Sequence, residues 1–122
     1  MNRRIAAFKY AIEGIVDFFT HHFHPKVHLF FAFLAIVFAW FFNFSGIEWC
    51  ILLLCIGIVL AAEAFNTAIE YLCNKITLEN DIAIKKTKDM AAGGVLIVSI
   101  FALAIGLILF LPKIWAIFNH KI

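Results

Sequence analysis

Charge is scarce in this sequence. Only 15% of the 122 residues are Asp, Glu, Lys or Arg, and they nearly cancel to a net charge of +2. No basic surplus is available to neutralise a phosphate backbone, so no nucleic-acid partner is expected. Cysteine is sparse too. Cys50, Cys55 and Cys73 are odd in number and form no C-x-x-C pair, and two of them lie in an apolar run. They read as small buried hydrophobes, not as metal ligands or a disulfide framework. Neither a Walker A motif nor a protein-kinase glycine-rich loop is present, so no soluble nucleotide-binding fold is being reused. No internal repeat or low-complexity linker divides the chain, and its length suits one domain. No cleavable signal peptide is expected, because the first apolar run leads into Trp40, two Phe, Asn43 and Phe44, not into a small-residue cleavage site.

Hydrocarbon is abundant. Hydrophobic residues make up 65% of the chain, Phe alone occurs 15 times, and the mean hydropathy is +1.00. A soluble domain of this size could not bury so much apolar surface. The expected class is an all-α membrane protein, with an N-terminal interfacial helix over 2–24 followed by three spans. Within the first segment, Ile5, Phe8, Ile12, Ile15 and Phe19 recur at helical spacing, while Lys9, Glu13 and Asp17 follow one another at i, i+4 on the other side. Such a helix lies in the membrane interface as a plain anchor or also lines a site. His21, His22, His24 and His28 then cluster around Pro25, which is expected to break or kink the chain. The cluster reads as a polar interfacial turn in preference to a zinc site, since no Cys or carboxylate lies near it in sequence. The spans are expected over 29–44, 47–73 and 90–111, with a polar loop over 75–88 and Pro112 closing the last.

Lys and Arg set the expected topology. Arg3, Arg4, Lys9 and Lys26 precede the first span, Lys75, Lys85, Lys86 and Lys88 sit in the 75–88 loop, and the Ser45 turn has none. Positive residues favour the cytoplasm. The N-terminus and the 75–88 loop are therefore expected inside a bacterial inner membrane, with the C-terminus outside.

The stretch from Ala61 to Val95 needs a separate explanation, because carboxylates are costly in hydrocarbon. On a helix, Glu63, Asn66 and Glu70 fall on one stripe, and Asn74 continues it. Counted from Glu48, Glu63 lies about 22 Å along and Glu70 about 33 Å, near the cytoplasmic water line. Lys88 and Asp89 return to the same level. Carboxylates at that depth can hold Mg²⁺, a deeper one can act as a base, and a lysine can neutralise phosphate. These are the parts of a phosphoryl-transfer site. The same residues could instead join helices in an oligomer, and Gly93 and Gly94 fit either close helix packing or approach to a ligand.

The segments E-A-F-N-T-A-I-E at 63–70 and K-T-K-D-M-A-A-G-G-V at 86–95 resemble the signature of the prokaryotic diacylglycerol kinase family. Phe8, Ala11 and Gly14 match its N-terminal helix, and F-L-P-K at 110–113 is more similar to the undecaprenol kinase branch. The resemblance implies a homotrimeric membrane enzyme that moves the γ-phosphate of MgATP onto a lipid alcohol, undecaprenol or diacylglycerol, at sites shared between subunits. It implies Glu63 as the catalytic base, Glu70 as a metal ligand, and Arg3, Tyr10, Glu79, Asn80, Asp81, Lys88 and Asp89 around the nucleotide. Asn66 and Asn74 would brace the site. Two positions depart from the pattern. His22 stands where the family usually has a second metal-binding Glu, and imidazole is a poorer Mg²⁺ ligand than carboxylate. Asn74 replaces the usual Asp. These departures keep open a catalytically silent scaffold or regulator, and Glu63 alone would also suit a proton-relay residue in a small transporter.

Overall fold

The computed structural model describes residues 2–120 and contains four helices: α1 (Arg3–His21), α2 (Phe23–Phe41), α3 (Gly46–Ile76) and α4 (Ile82–Asn119). The last three are each long and apolar enough to cross a membrane. Most of their large apolar side chains are exposed on the isolated chain, as expected when lipid, not water, surrounds a bundle. The helices α3 and α4 pack most extensively, α2 packs more sparsely on α3, and α1 touches both α2 and α3.

Each boundary has a local cause. Asn2 caps α1 by accepting from the Arg4 amide at 3.2 Å. The break between α1 and α2 is a single residue, His22, with extended backbone. Pro25 was expected to make that break, but it lies in the first turn of α2, where a missing N–H costs nothing. At the other end of α2 the chain reverses through Asn43, whose φ of 55° is left-handed and suits Asn. Ser45 and Glu48 then form a capping box at the start of α3, with bonds of 3.2 and 3.0 Å.

The polar loop proves much shorter than expected. Only residues 77–81 separate α3 from α4. The Lys-rich stretch after it is helical because Asp81 accepts from the Ile84 amide at 3.0 Å as an N-cap. The i, i+4 pair of Lys85 and Asp89, at 2.6 Å, supports that first turn. Pro112 does not end the last helix either. The helix α4 runs through it to Asn119, a tolerance seen in apolar helices whose neighbours and local adjustments absorb one lost backbone bond.

A small core sits at the Ser45 end of the bundle. Ala39, Phe44, Leu52 and Leu109 are buried there, joined by Trp49 and Phe110. The Phe44 ring lies 4.9 Å from that of Phe110 and 6.1 Å from that of Trp49. Lys113 Nζ reaches Glu48 Oε1 at 3.1 Å and lies 5.1 Å from the Phe44 ring centre. Together these contacts tie α4 to α3 at the end opposite the polar stripe.

Candidate active site

The stripe on α3 meets the joint between α1 and α2. A polar cleft of about 260 Å³ lies between them, lined by His22, Glu63, Asn66, Glu70 and Asn74 among others. Helical periodicity supplies the α3 side. The one-residue break supplies the other, because an extended His22 turns the chain back across α3 and Pro25 is fully buried at the turn.

Glu63 is the buried charge of the site, 9% exposed. Its Oε1 lies 2.9 Å from Nε2 of His28, on α2. His28 was expected only as part of a polar turn, so this pairing is new. The signal available was a histidine at the start of an otherwise apolar span, a place where a polar group needs a partner. His28 also lines a second cleft, apolar and of about 440 Å³, between α2, α3 and α4, with Phe31, Leu60, Leu103 and Phe110 along it. The His28–Glu63 pair therefore stands where a polar cleft meets an apolar one.

A third cleft, of about 480 Å³, lies against the 77–81 loop and is lined by Glu79, Asn80, Asp81, Lys85 and Lys88. Asn74 lines both this cleft and the polar one, and accepts a hydrogen bond from Lys88 Nζ at 2.5 Å. Lys88 and Asp89 do not pair with each other. Asp89 bonds Lys85, and that hydrogen bond raises the Lys85 pKa above its ordinary value. Arg3 and Tyr10 are exposed on α1 and line none of these three clefts. A Cβ added at Gly93 or Gly94 would meet nothing within 4 Å, so neither glycine serves close packing within the chain.

Among the described residues, no three His, Cys, Asp or Glu side chains converge as a metal cluster. Mg²⁺ does not require one. It commonly takes one or two carboxylates and leaves its other positions to water and substrate phosphates. Glu70 offers a carboxylate, and Asn66 and Asn74 offer amide oxygens in the same cleft, so the donor set fits that ion. His22 shares the cleft and contributes a nitrogen where oxygen is preferred.

The model of the prokaryotic diacylglycerol kinase family matches residues 9–110. The undecaprenol kinase of Bacillus subtilis (strain 168) is 33% identical over 114 residues, which is 93% of this chain and 93% of that protein. The matched region takes in the α1–α2 joint, the α3 stripe, the 77–81 loop and the start of α4. The chain belongs to the prokaryotic diacylglycerol kinase family of membrane lipid kinases, and so to the phosphotransferases with an alcohol acceptor.

Proposed function

We propose that this protein transfers the γ-phosphate of ATP to the hydroxyl of a membrane lipid alcohol. The observation that carries this reading is the position of Glu63, which faces a cleft of polar groups and touches a histidine that faces a cleft of hydrocarbon. A lipid alcohol has the same two-sided character. Its chain lies against the apolar surface of α2, α3 and α4, and its hydroxyl reaches Glu63. The likeness to the Bacillus enzyme favours undecaprenol over diacylglycerol.

In the reaction, the lipid oxygen forms a bond to the γ-phosphorus and its proton passes to the Glu63 carboxylate. The bond from that phosphorus to the bridging oxygen breaks, and ADP leaves with the electron pair. Lys88, with Glu79, Asn80 and Asp81, holds the nucleotide at the loop cleft, while Asp89 fixes Lys85 beside it. Arg3 and Tyr10 on α1 are assigned to the nucleotide by family resemblance alone. Glu70, with Asn66 and Asn74, would hold Mg²⁺, which supplies charge neutralisation for the phosphates. The distribution of Lys and Arg supports a cytoplasmic location for this end of the bundle. The apolar residues left exposed on a single chain suit a homotrimer, with α1 lying amphipathic in the interface.

The test is purified protein in detergent with [γ-³²P]ATP, Mg²⁺, and undecaprenol or diacylglycerol side by side. Label should enter the lipid, undecaprenol more than diacylglycerol, and Glu63→Gln should abolish it. Label that survives Glu63→Gln removes the base assignment. A silent scaffold is the second reading, favoured by His22 and Asn74, which leave the polar cleft with two carboxylates. No transfer to any lipid alcohol by a folded, assembled protein would decide for it.

A further inference from the structure

We propose that His28 is a positioning residue that anchors the Glu63 carboxylate, through Nε2, in the orientation that receives the lipid proton. This rests on Glu63 acting as the base. Among the described residues, His28 is the side chain whose ring nitrogen lies against this buried carboxylate, with Nε2 2.9 Å from Oε1. The terminal torsion of a glutamate is broad and roughly two-fold. An unanchored carboxylate would therefore turn about that bond and present its oxygens to the polar cleft in varying orientations. Holding Oε1 removes that freedom and leaves Oε2 as the free acceptor at the junction.

The choice of histidine is chemically informative. A lysine there would also anchor the carboxylate, but a full positive charge stabilises the anion and blunts it as a base. A neutral imidazole carrying its proton on Nε2 donates one directed bond without that charge. The same donor serves before and after Glu63 takes the proton, since the carbonyl-like oxygen of the acid still accepts. The location fits too. His28 is in the second turn of α2, carried by the same helix whose start forms the wall of the polar cleft. The α1–α2 joint thus sets the depth at which the anchor meets α3.

The decisive comparison is His28→Gln against His28→Met, assayed on the full-length protein in detergent with MgATP and undecaprenol. The two side chains are close in size, and only Gln can donate to Oε1. His28→Met should lower kcat about 10- to 100-fold, the scale on which small misplacements act, with KM for MgATP changed less than about twofold, while His28→Gln recovers most of the rate. Equal activity of the Gln and Met variants, with melting temperatures matched to the parent, overturns the proposal. So does an unaltered rate in His28→Met. If Glu63→Gln is inactive in that case, the base assignment stands and only the anchor fails. If Glu63→Gln is active, the base assignment fails and the anchor falls with it.

Discussion

The pairing of Lys113 with Glu48 is a sharp test of how the far end of the bundle is held. The two side chains are 25% and 26% exposed and meet at 3.1 Å. At an effective dielectric of about 20, opposite unit charges at that distance attract by about 5 kcal/mol. Desolvation offsets most of this, leaving about 1.5–3 kcal/mol, the usual range for a hydrogen bond between charged groups. The Phe44 face below Lys113 adds about 0.5–1 kcal/mol. Lys113→Met should therefore cost about 2–4 kcal/mol of stability. Glu48→Gln removes the charge but keeps an oxygen for the Ser45 amide, and should cost about 1.5–2 kcal/mol. Because both variants lose the same contact, the double variant should recover at least about 1 kcal/mol relative to their sum. The assay is SDS titration in mixed micelles followed by tryptophan fluorescence, for which Trp49, packed on Phe44, is a local reporter. Kinase activity below the transition should be unchanged, since Glu48 and Glu63 are about 22 Å apart along α3. A coupling within about 0.3 kcal/mol of zero, the value for independent sites, would refute the reasoning.

Further outcomes follow from the caps and the clefts. Ser45→Ala should cost about 1 kcal/mol by SDS titration, through loss of one half of the capping box. Asp81→Ala should cost a similar amount by uncapping α4, and should also raise KM for ATP, because Asp81 lines the loop cleft. An unchanged KM would leave Asp81 a cap alone. Asn74→Asp turns the bond from Lys88 into an ion pair and adds a carboxylate to the polar cleft. The Mg²⁺ concentration for half-maximal activity should fall several-fold, and a rise would count against Mg²⁺ in that cleft.

The α3 stripe was legible because it depends only on helical period, and period is a local property. Glu63, Asn66, Glu70 and Asn74 share a cleft for that reason. The ends of α4 were not legible in the same way. Four lysines near one another suggested a solvated loop, but Asp81 as a cap and Lys85 four residues before Asp89 are helix-start chemistry, and they prevail. Neither proline breaks the helix in which it stands. At Pro25 the helix needs no amide, and at Pro112 the apolar run carries α4 onward. The His28–Glu63 contact joins residues 35 positions apart on different helices. No spacing rule reaches across a packing interface whose rotation is set by the whole bundle.

The single-residue joint at His22 has a mechanical consequence. Nineteen residues of α1 hang from it, a rigid arm of about 28 Å. A rotation of about 10° at His22 therefore carries the far end of the arm, where Arg3 sits, through about 5 Å. The same gearing runs in reverse. Whatever grips the arm along its length fixes the torsion of its pivot to within a few degrees, and the pivot's own side chain lines the polar cleft. A displacement imposed on the far end of α1 is thus felt at His22 as a twist, with most of the travel geared down before it arrives.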